Sequence, residues 1–259
     1  MSAASAAVAI NTFREAVRDR VLYNLVVFAL LMIGAAVLVG QVSIGIDRLV
    51  IVNLGLSAIS AIGLVMAVFI GVGLVYKEIE KRTLYSLLAR PIRRSEFLVG
   101  KYAGLLLTLL VNTAFMTLAL AAALYYVGRP FVASDVSILV AVYFILLELA
   151  LVTALALFFS CFSSPMLSAL LTLAMYVTGV FSSDIREFGA LTHRPTIEFV
   201  ARVLYYLVPN FHDFNQIGRA AHGDRLPLSL VGQNTAYAAL YASVVLLAAS
   251  AVFSRRNLK

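Results

Sequence analysis

The chain has 259 residues, 62% hydrophobic and 13% charged, with a formal net charge of +7 and a mean hydropathy of +0.97. A soluble domain carries roughly a quarter charged residues, so about half the charge needed to solvate a globular surface is present. The same balance excludes disorder, and 15 glycines with 1 cysteine exclude collagen-like and disulfide-rich classes. What remains is an all-α, polytopic membrane protein.

A helix crossing the bilayer core needs about 20 apolar residues. Runs free of Asp, Glu, Lys and Arg cover 21–46, 49–76 and 102–128, and they predict spans near 21–45, 52–76 and 99–127. The run 136–183 carries only Glu148 and is too long for one span. Ser160-Cys161-Phe162-Ser163-Ser164-Pro165 breaks it with a turn, and Pro165 suits the first turn of a new helix. Spans near 136–159 and 165–181 follow, and the run 226–254 gives the last, near 232–253. Residues 1–259 therefore read as a single transmembrane domain with six transmembrane helices.

An even count puts both termini on one side, and Lys plus Arg decide which. The side of the termini carries Arg14, Arg18, Arg20, seven basic residues in 77–101, and Arg255, Arg256 and Lys259. The short opposite loops hold only Arg48 and Arg129. The positive-inside rule thus predicts cytoplasmic termini in a multi-pass protein of the cytoplasmic (inner) membrane. The N-terminus reads without the charged n-region, short apolar core and cleavage site of a removable signal peptide. The net positive charge is a topology signal and predicts no nucleic-acid partner.

Three segments outside the spans carry further information. In 10–24, Phe13, Val17 and Val21 recur at helical spacing, with Arg14, Glu15, Arg18 and Asp19 on the other side. This pattern fits an amphipathic helix in the headgroup region with its arginines near membrane lipids, or simply the solvated start of the first span. In 77–101, Leu84, Leu87 and Leu88 form an apolar stripe, Glu78 and Arg82 are an i,i+4 pair, and Pro91 ends the helix. Such a helix can enter a groove of a cytosolic partner, or its basic residues can serve only as anchors. In 182–231, Ile197, Val200, Leu204 and Leu207 predict one helical face, broken at Pro209-Asn210. Tyr205, Tyr206, Phe211 and Phe214 suit a membrane interface, so this segment is expected to dip back toward the bilayer.

Catalytic and cofactor chemistry has no signature in the sequence. Gly100-Lys101 is followed by Tyr102 and lacks the upstream glycine of a phosphate-binding loop. His193, His212 and His222 are scattered, so no metal site is expected. Glu148 is the one ionisable residue predicted deep in a span, where a charge is costly and marks a function or a hydrogen-bonded packing role. Asn53, Asn112, Thr113, Thr153 and Thr172 are span polar residues suited to substrate contacts or interhelical hydrogen bonds. Gly100-x-x-x-Gly104 permits close helix approach.

The stretches NTFREAVRDRVLY, KEIEKRTLYSLLARPIRRSEFLVGKY, LVPNFHDFN and SRRNLK together resemble the membrane subunit of type-2 ABC transporters, in its compact six-span form. The second stretch carries most of the resemblance, through Arg82-Thr83-Leu84, Leu88-x-x-Pro91-x-x-Arg94 and Gly100-Lys101. The resemblance implies an N-terminal interfacial elbow helix over about 10–20, including Phe13, Arg14, Arg18 and Arg20. It implies a coupling helix over about 77–89 that docks into a cytosolic ABC ATPase, with Glu78, Ile79, Arg82, Thr83, Leu84, Leu87, Leu88 and Pro91 at the contact. It further implies short re-entrant helices at the outer face, where Tyr205, Tyr206, Pro209, Asn210 and Phe211 would form an outer gate. ATP and Mg would be bound by the partner ATPase, and this chain would hold no cofactor of its own.

The function expected is that of an exporter's permease, pairing with a second permease copy (a homodimer) or with a sister permease (a heterodimer), and with two ATPases. Its pathway would lie at the permease interface, lined by the first, second and fifth spans, for a lipidic, peptide or amphipathic cargo. The alternatives are an ATPase-coupled mechanotransmitting scaffold that passes no substrate, and a membrane-embedded enzyme acting on lipids.

Overall fold

The computed structural model of the chain describes residues 3–18, 20–42, 45–80, 94–127, 136–192, 194–224 and 226–255. Among the described residues the fold is all-α, with ten α-helices, one 3-10 turn and no strand. A short helix, α1 (Ala3–Val17), precedes the long α2 (Arg20–Val42), α3 (Asp47–Glu80) and α4 (Arg94–Tyr126). Then come α5 (Val136–Ser160) and α6 (Pro165–Val180), followed by the short α7 (Ser182–Leu191) and α8 (Pro195–Leu207). The 3-10 turn His212–Phe214, α9 (Ile217–His222) and the long α10 (Leu228–Arg255) complete the chain.

Among the described residues, five stretches are long and apolar enough to cross a membrane: Leu25–Val42, Asp47–Gly73, Ser95–Tyr126, Val136–Ser160 and Leu228–Phe253. The protein is therefore a multi-pass membrane protein. The element expected as the fifth span differs from the rest. α6 has 16 residues and reaches about 24 Å, short of a hydrocarbon core of about 30 Å. It bends by 58° into α7, so the pair makes a sixth crossing only as one broken span.

α5 is the axis of the bundle. It is apolar on every side, as a helix surrounded by other helices must be, and α3, α4, α6 and α10 all pack on it. Phe144, Ile145, Leu149, Val152, Leu155 and Leu157 are buried in the main core. A second, smaller cluster joins Phe97, Leu98, Cys161, Ala249 and Phe253, with the Phe97 and Phe253 rings stacked 6.3 Å apart. It ties the start of α4 to the end of α10.

α1 starts earlier than the elbow segment expected from the amphipathic pattern, because Ala3, Ala4, Ala6, Ala7 and Ala9 are strong helix formers. Its buried stripe also differs from the apolar one read in the sequence. Ser5, Ala9, Thr12 and Ala16 are buried, whereas Phe13 and Val17 are half-buried. The partner surface is α4, the helix with which α1 makes its most extensive contact. A Cβ on Gly100 would lie 2.7 Å from the Ser5 carbonyl oxygen, and one on Gly104 would lie 2.5 Å from that of Ala9. The Gly100-x-x-x-Gly104 pair is thus an intramolecular seat for α1, and only hydrogen side chains permit the approach.

Candidate functional site

A groove of about 890 Å³ lies between α6 and the later part of α3. Phe69, Val72 and Gly73 line it from α3, and Met166, Leu170, Leu173 and Val177 are among its walls on α6. Among the described residues of the lining Thr178 is the one polar side chain, so these walls offer dispersion contacts and almost no hydrogen bonds.

The distribution of residues around α6 explains why the groove exists. Ser168, Thr172, Tyr176 and Gly179 recur at i, i+4, i+8 and i+11 and form the seam toward the bundle. Ser168, Thr172 and Gly179 are buried on that side. Met166, Leu170 and Val177 lie on the opposite side and are exposed. Lipid tails are as apolar as leucine, so a membrane helix gains most from close approach, and small residues mark the packed face.

The seam has polar links at both ends. The Ser163 and Ser168 hydroxyls are 2.7 Å apart at the turn into α6. Between these ends Tyr176 is half-buried, and Glu148 is buried on α5. At the far end the Phe211 backbone N–H donates to the Gly179 carbonyl at 3.1 Å. A Cβ on Gly179 would collide with the Pro209 carbonyl and the Phe211 ring. The Tyr176 ring packs on Phe211 with centroids 5.1 Å apart.

The segment after α8 is fastened to the neighbouring helices by its own polar groups. The Ser182 hydroxyl donates to Asn210 Oδ1 at 3.0 Å, and Asn210 Nδ2 donates to Asp213 at 2.8 Å. Asn210 N–H donates to the Tyr237 hydroxyl at 3.0 Å, and the Tyr241 hydroxyl donates to the Leu207 carbonyl at 2.8 Å. Pro209 and Phe211 are buried in this staple, and Phe214 packs on Phe144 of α5. Of the aromatic pair expected beside them, Tyr205 lies under the Arg186 guanidinium at 4.9 Å and Tyr206 is exposed. Ile197 and Leu204 are half-buried around buried Ala201, whereas Val200 and Leu207 are exposed. The predicted single face of this helix is therefore divided between packed and exposed sides.

Most polar residues read as span features bond within their own helix. Asn112 Nδ2 donates to the Thr108 carbonyl at 2.8 Å, and Thr153 and Thr172 donate to the carbonyls of Leu149 and Ser168. Asn53 is half-buried on α3. An interhelical bond occurs instead between the hydroxyls of Tyr143 and Thr235, 2.7 Å apart, joining α5 to α10. Of the elbow residues, Arg14 and Arg18 are exposed, and Arg20 opens α2. Glu78 and Ile79 lie in the last turn of α3. Arg82, Thr83, Leu84, Leu87, Leu88 and Pro91 lie outside the described residues.

Lys101, counted in the sequence among the solvated basic anchors, is only 1% exposed. Its ammonium lies 3.9 Å from the Glu15 carboxylate and 5.9 Å above the Phe97 ring. Sequence spacing marks the Gly100-Lys101 pair but not the burial of this side chain, and it does not mark Tyr176. The i,i+4 stripe of Ser168, Thr172 and Tyr176 is the available signal for α6, because it gathers most of the helix's polar groups on one side and leaves Thr178 toward the groove.

The described residues thus form a multi-pass helical bundle with an apolar groove between α3 and α6. The chain belongs to the ABC-2 family of transporter proteins, whose family model matches residues 6–258. It is accordingly a membrane permease component of an ABC transporter, and the family implies a partnering ATPase subunit. No curated protein matches the chain.

Proposed function

We propose that this chain is the permease of an exporter in the cytoplasmic membrane, with both termini in the cytoplasm. Two copies pair, and each binds a cytosolic ATPase that holds ATP and Mg. The segment 77–89 is the coupling element, with Glu78, Ile79, Arg82, Thr83, Leu84, Leu87, Leu88 and Pro91 at the contact. It joins α3 to α4, so a push on it tilts both helices. The cargo is lipidic or amphipathic and moves along the groove between α3 and α6, under the 208–214 staple at the outer face.

The groove carries this reading. It runs between the second and fifth membrane elements, and an apolar lining of this size suits a lipid-like chain better than a polar solute. The experiment is co-purification with the ATPase encoded beside it, followed by ATP turnover in liposomes. Leu84→Asp and Leu87→Asp are expected to abolish complex formation and stimulated turnover. Retention of both by either variant overturns the coupling assignment. Transport of a labelled lipid into or out of those liposomes separates a permease from a scaffold that passes no substrate.

A further inference from the structure

We propose that the outward face of α1 binds anionic lipid headgroups of the cytoplasmic leaflet, with Arg14 and Arg18 on the phosphate and the start of α2 along the acyl chains. The proposal rests on the placement of the N-terminus in the cytoplasm.

α1 carries two opposite stripes. Ser5, Ala9, Thr12 and Ala16 recur at i, i+4, i+7 and i+11 and are buried, seated on Gly100 and Gly104 of α4. Ala7, Asn11, Arg14 and Arg18 repeat that spacing two positions later, on the other side of the helix, and all four are exposed. Ile10 is exposed beside them. Arg18 stands in the turn after α1, where its backbone N–H donates to the Glu15 carbonyl at 3.2 Å.

Charge is sorted between the two sides. The Glu15 carboxylate is 3.9 Å from the Lys101 ammonium of α4, so the acid of α1 is answered from within the bundle. Among the described residues Arg14 and Arg18 have no ion pair, and Asp19 lies outside the described residues. Two guanidiniums on one exposed stripe suit a phosphate, which each can grip through a planar fork of N–H donors.

The level of the stripe selects a lipid as the phosphate's carrier. α1 meets α4 near the start of the apolar stretch Ser95–Tyr126. Its 32 residues reach about 48 Å, beyond a hydrocarbon core of about 30 Å, so its first turns stand among headgroups. The chain then enters α2, where Tyr23 is exposed and is followed by exposed Val27, Phe28 and Leu31. Basic, aromatic and aliphatic surface thus follow one another as phosphate, interface and acyl chains do in one leaflet. An acidic protein would match the arginines but not the apolar surface after them.

The test uses Tyr23→Trp, which supplies the single indole of a chain with 0 tryptophans. The full chain is reconstituted in phosphatidylcholine vesicles doped with brominated phosphatidylglycerol or, separately, brominated phosphatidylcholine. The brominated lipid is in both leaflets, so the readout needs neither ATPase nor a known orientation. Its failure is therefore distinct from failure of the proposed function.

Brominated phosphatidylglycerol is expected to quench the indole beyond its bulk share, and brominated phosphatidylcholine only in proportion to it. Arg14→Gln or Arg18→Gln is expected to lower that preference about 5-fold, and the two together about 30-fold. Arg202→Gln makes the same change in net charge on exposed α8 and is expected to leave the preference intact. Inorganic phosphate at millimolar concentration is expected not to relieve the quenching. Equal quenching by the two lipids in the parent overturns the proposal and leaves the arginines to an acidic protein. A preference that survives the double substitution, that Arg202→Gln lowers equally, or that inorganic phosphate abolishes also overturns it.

Discussion

The Lys101 ammonium sits 3.9 Å from the Glu15 carboxylate across the contact between α1 and α4, with the lysine buried and the glutamate partly open. A positive charge beside a close glycine-based helix contact makes the α1 seat sensitive to charge as well as to volume. Lys101→Glu places two carboxylates together there and is expected to lower thermal stability in detergent by several degrees. The swap Lys101→Glu with Glu15→Lys is expected to recover part of it. A double-mutant cycle should give a coupling of about 1 kcal/mol.

Charge alone does not predict such an effect. Glu198 and Arg202 approach more closely, at 2.6 Å, but both are exposed on α8. Glu198→Ala is expected to change stability by no more than about 0.5 kcal/mol, since solvent screens the pair and side-chain entropy opposes it. Parallel thermal melts of Glu198→Ala and Lys101→Glu test the contrast.

Volume is the other sensitivity of the α1 seat. Gly104→Leu must displace the Ala9 backbone or the Thr12 side chain, whose Cβ lies 2.7 Å from the added Cβ. The expected cost is about 1–3 kcal/mol. In a Cys161→Ala background, a cysteine at position 12 should react with maleimide slowly in the parent and much faster beside Gly104→Leu. Equal rates would mean that α1 is not held there.

The staple can be read optically, because the chain has 0 tryptophans. Phe211→Trp introduces a single indole at a site 1% exposed, packed against Tyr176. Its emission is expected at short wavelength. Adding Gly179→Val, whose side chain collides with Pro209 and Phe211, should shift that emission to the red and increase iodide quenching.

Between α5 and α10 the Tyr143–Thr235 bond offers a calibration. Tyr143→Phe is expected to cost about 0.6 kcal/mol, the average for such bonds in membranes, measured by unfolding in mixed micelles. A loss several times larger would mean that this contact supports more than two hydroxyls.

The long apolar runs made the membrane class and the positions of α2, α3, α4, α5 and α10 legible, since a bilayer imposes length and composition on any helix that crosses it. Packing faces were not legible in the same way. Apolar periodicity pointed to Phe13 and Val17 on α1, yet Ser5, Ala9, Thr12 and Ala16 form the contact, because membrane helices meet through small residues. Lys101 looked like one more cytoplasmic anchor because charge counting cannot see that a neighbouring helix will cover it. Glu148 stands out by its position in an apolar run, and its burial on α5 follows from the helices packed around it, beyond any local spacing rule.

A helix of 16 residues also sets a mechanical condition on the surrounding lipid. Beside α2, α3 or α5 a bilayer of ordinary thickness is matched, whereas beside α6 the acyl chains must tilt, shorten or follow the bend into α7. Changes in membrane thickness therefore load α6 before any other long element. A thicker membrane pulls on the break at Phe181, and a thinner one relieves it.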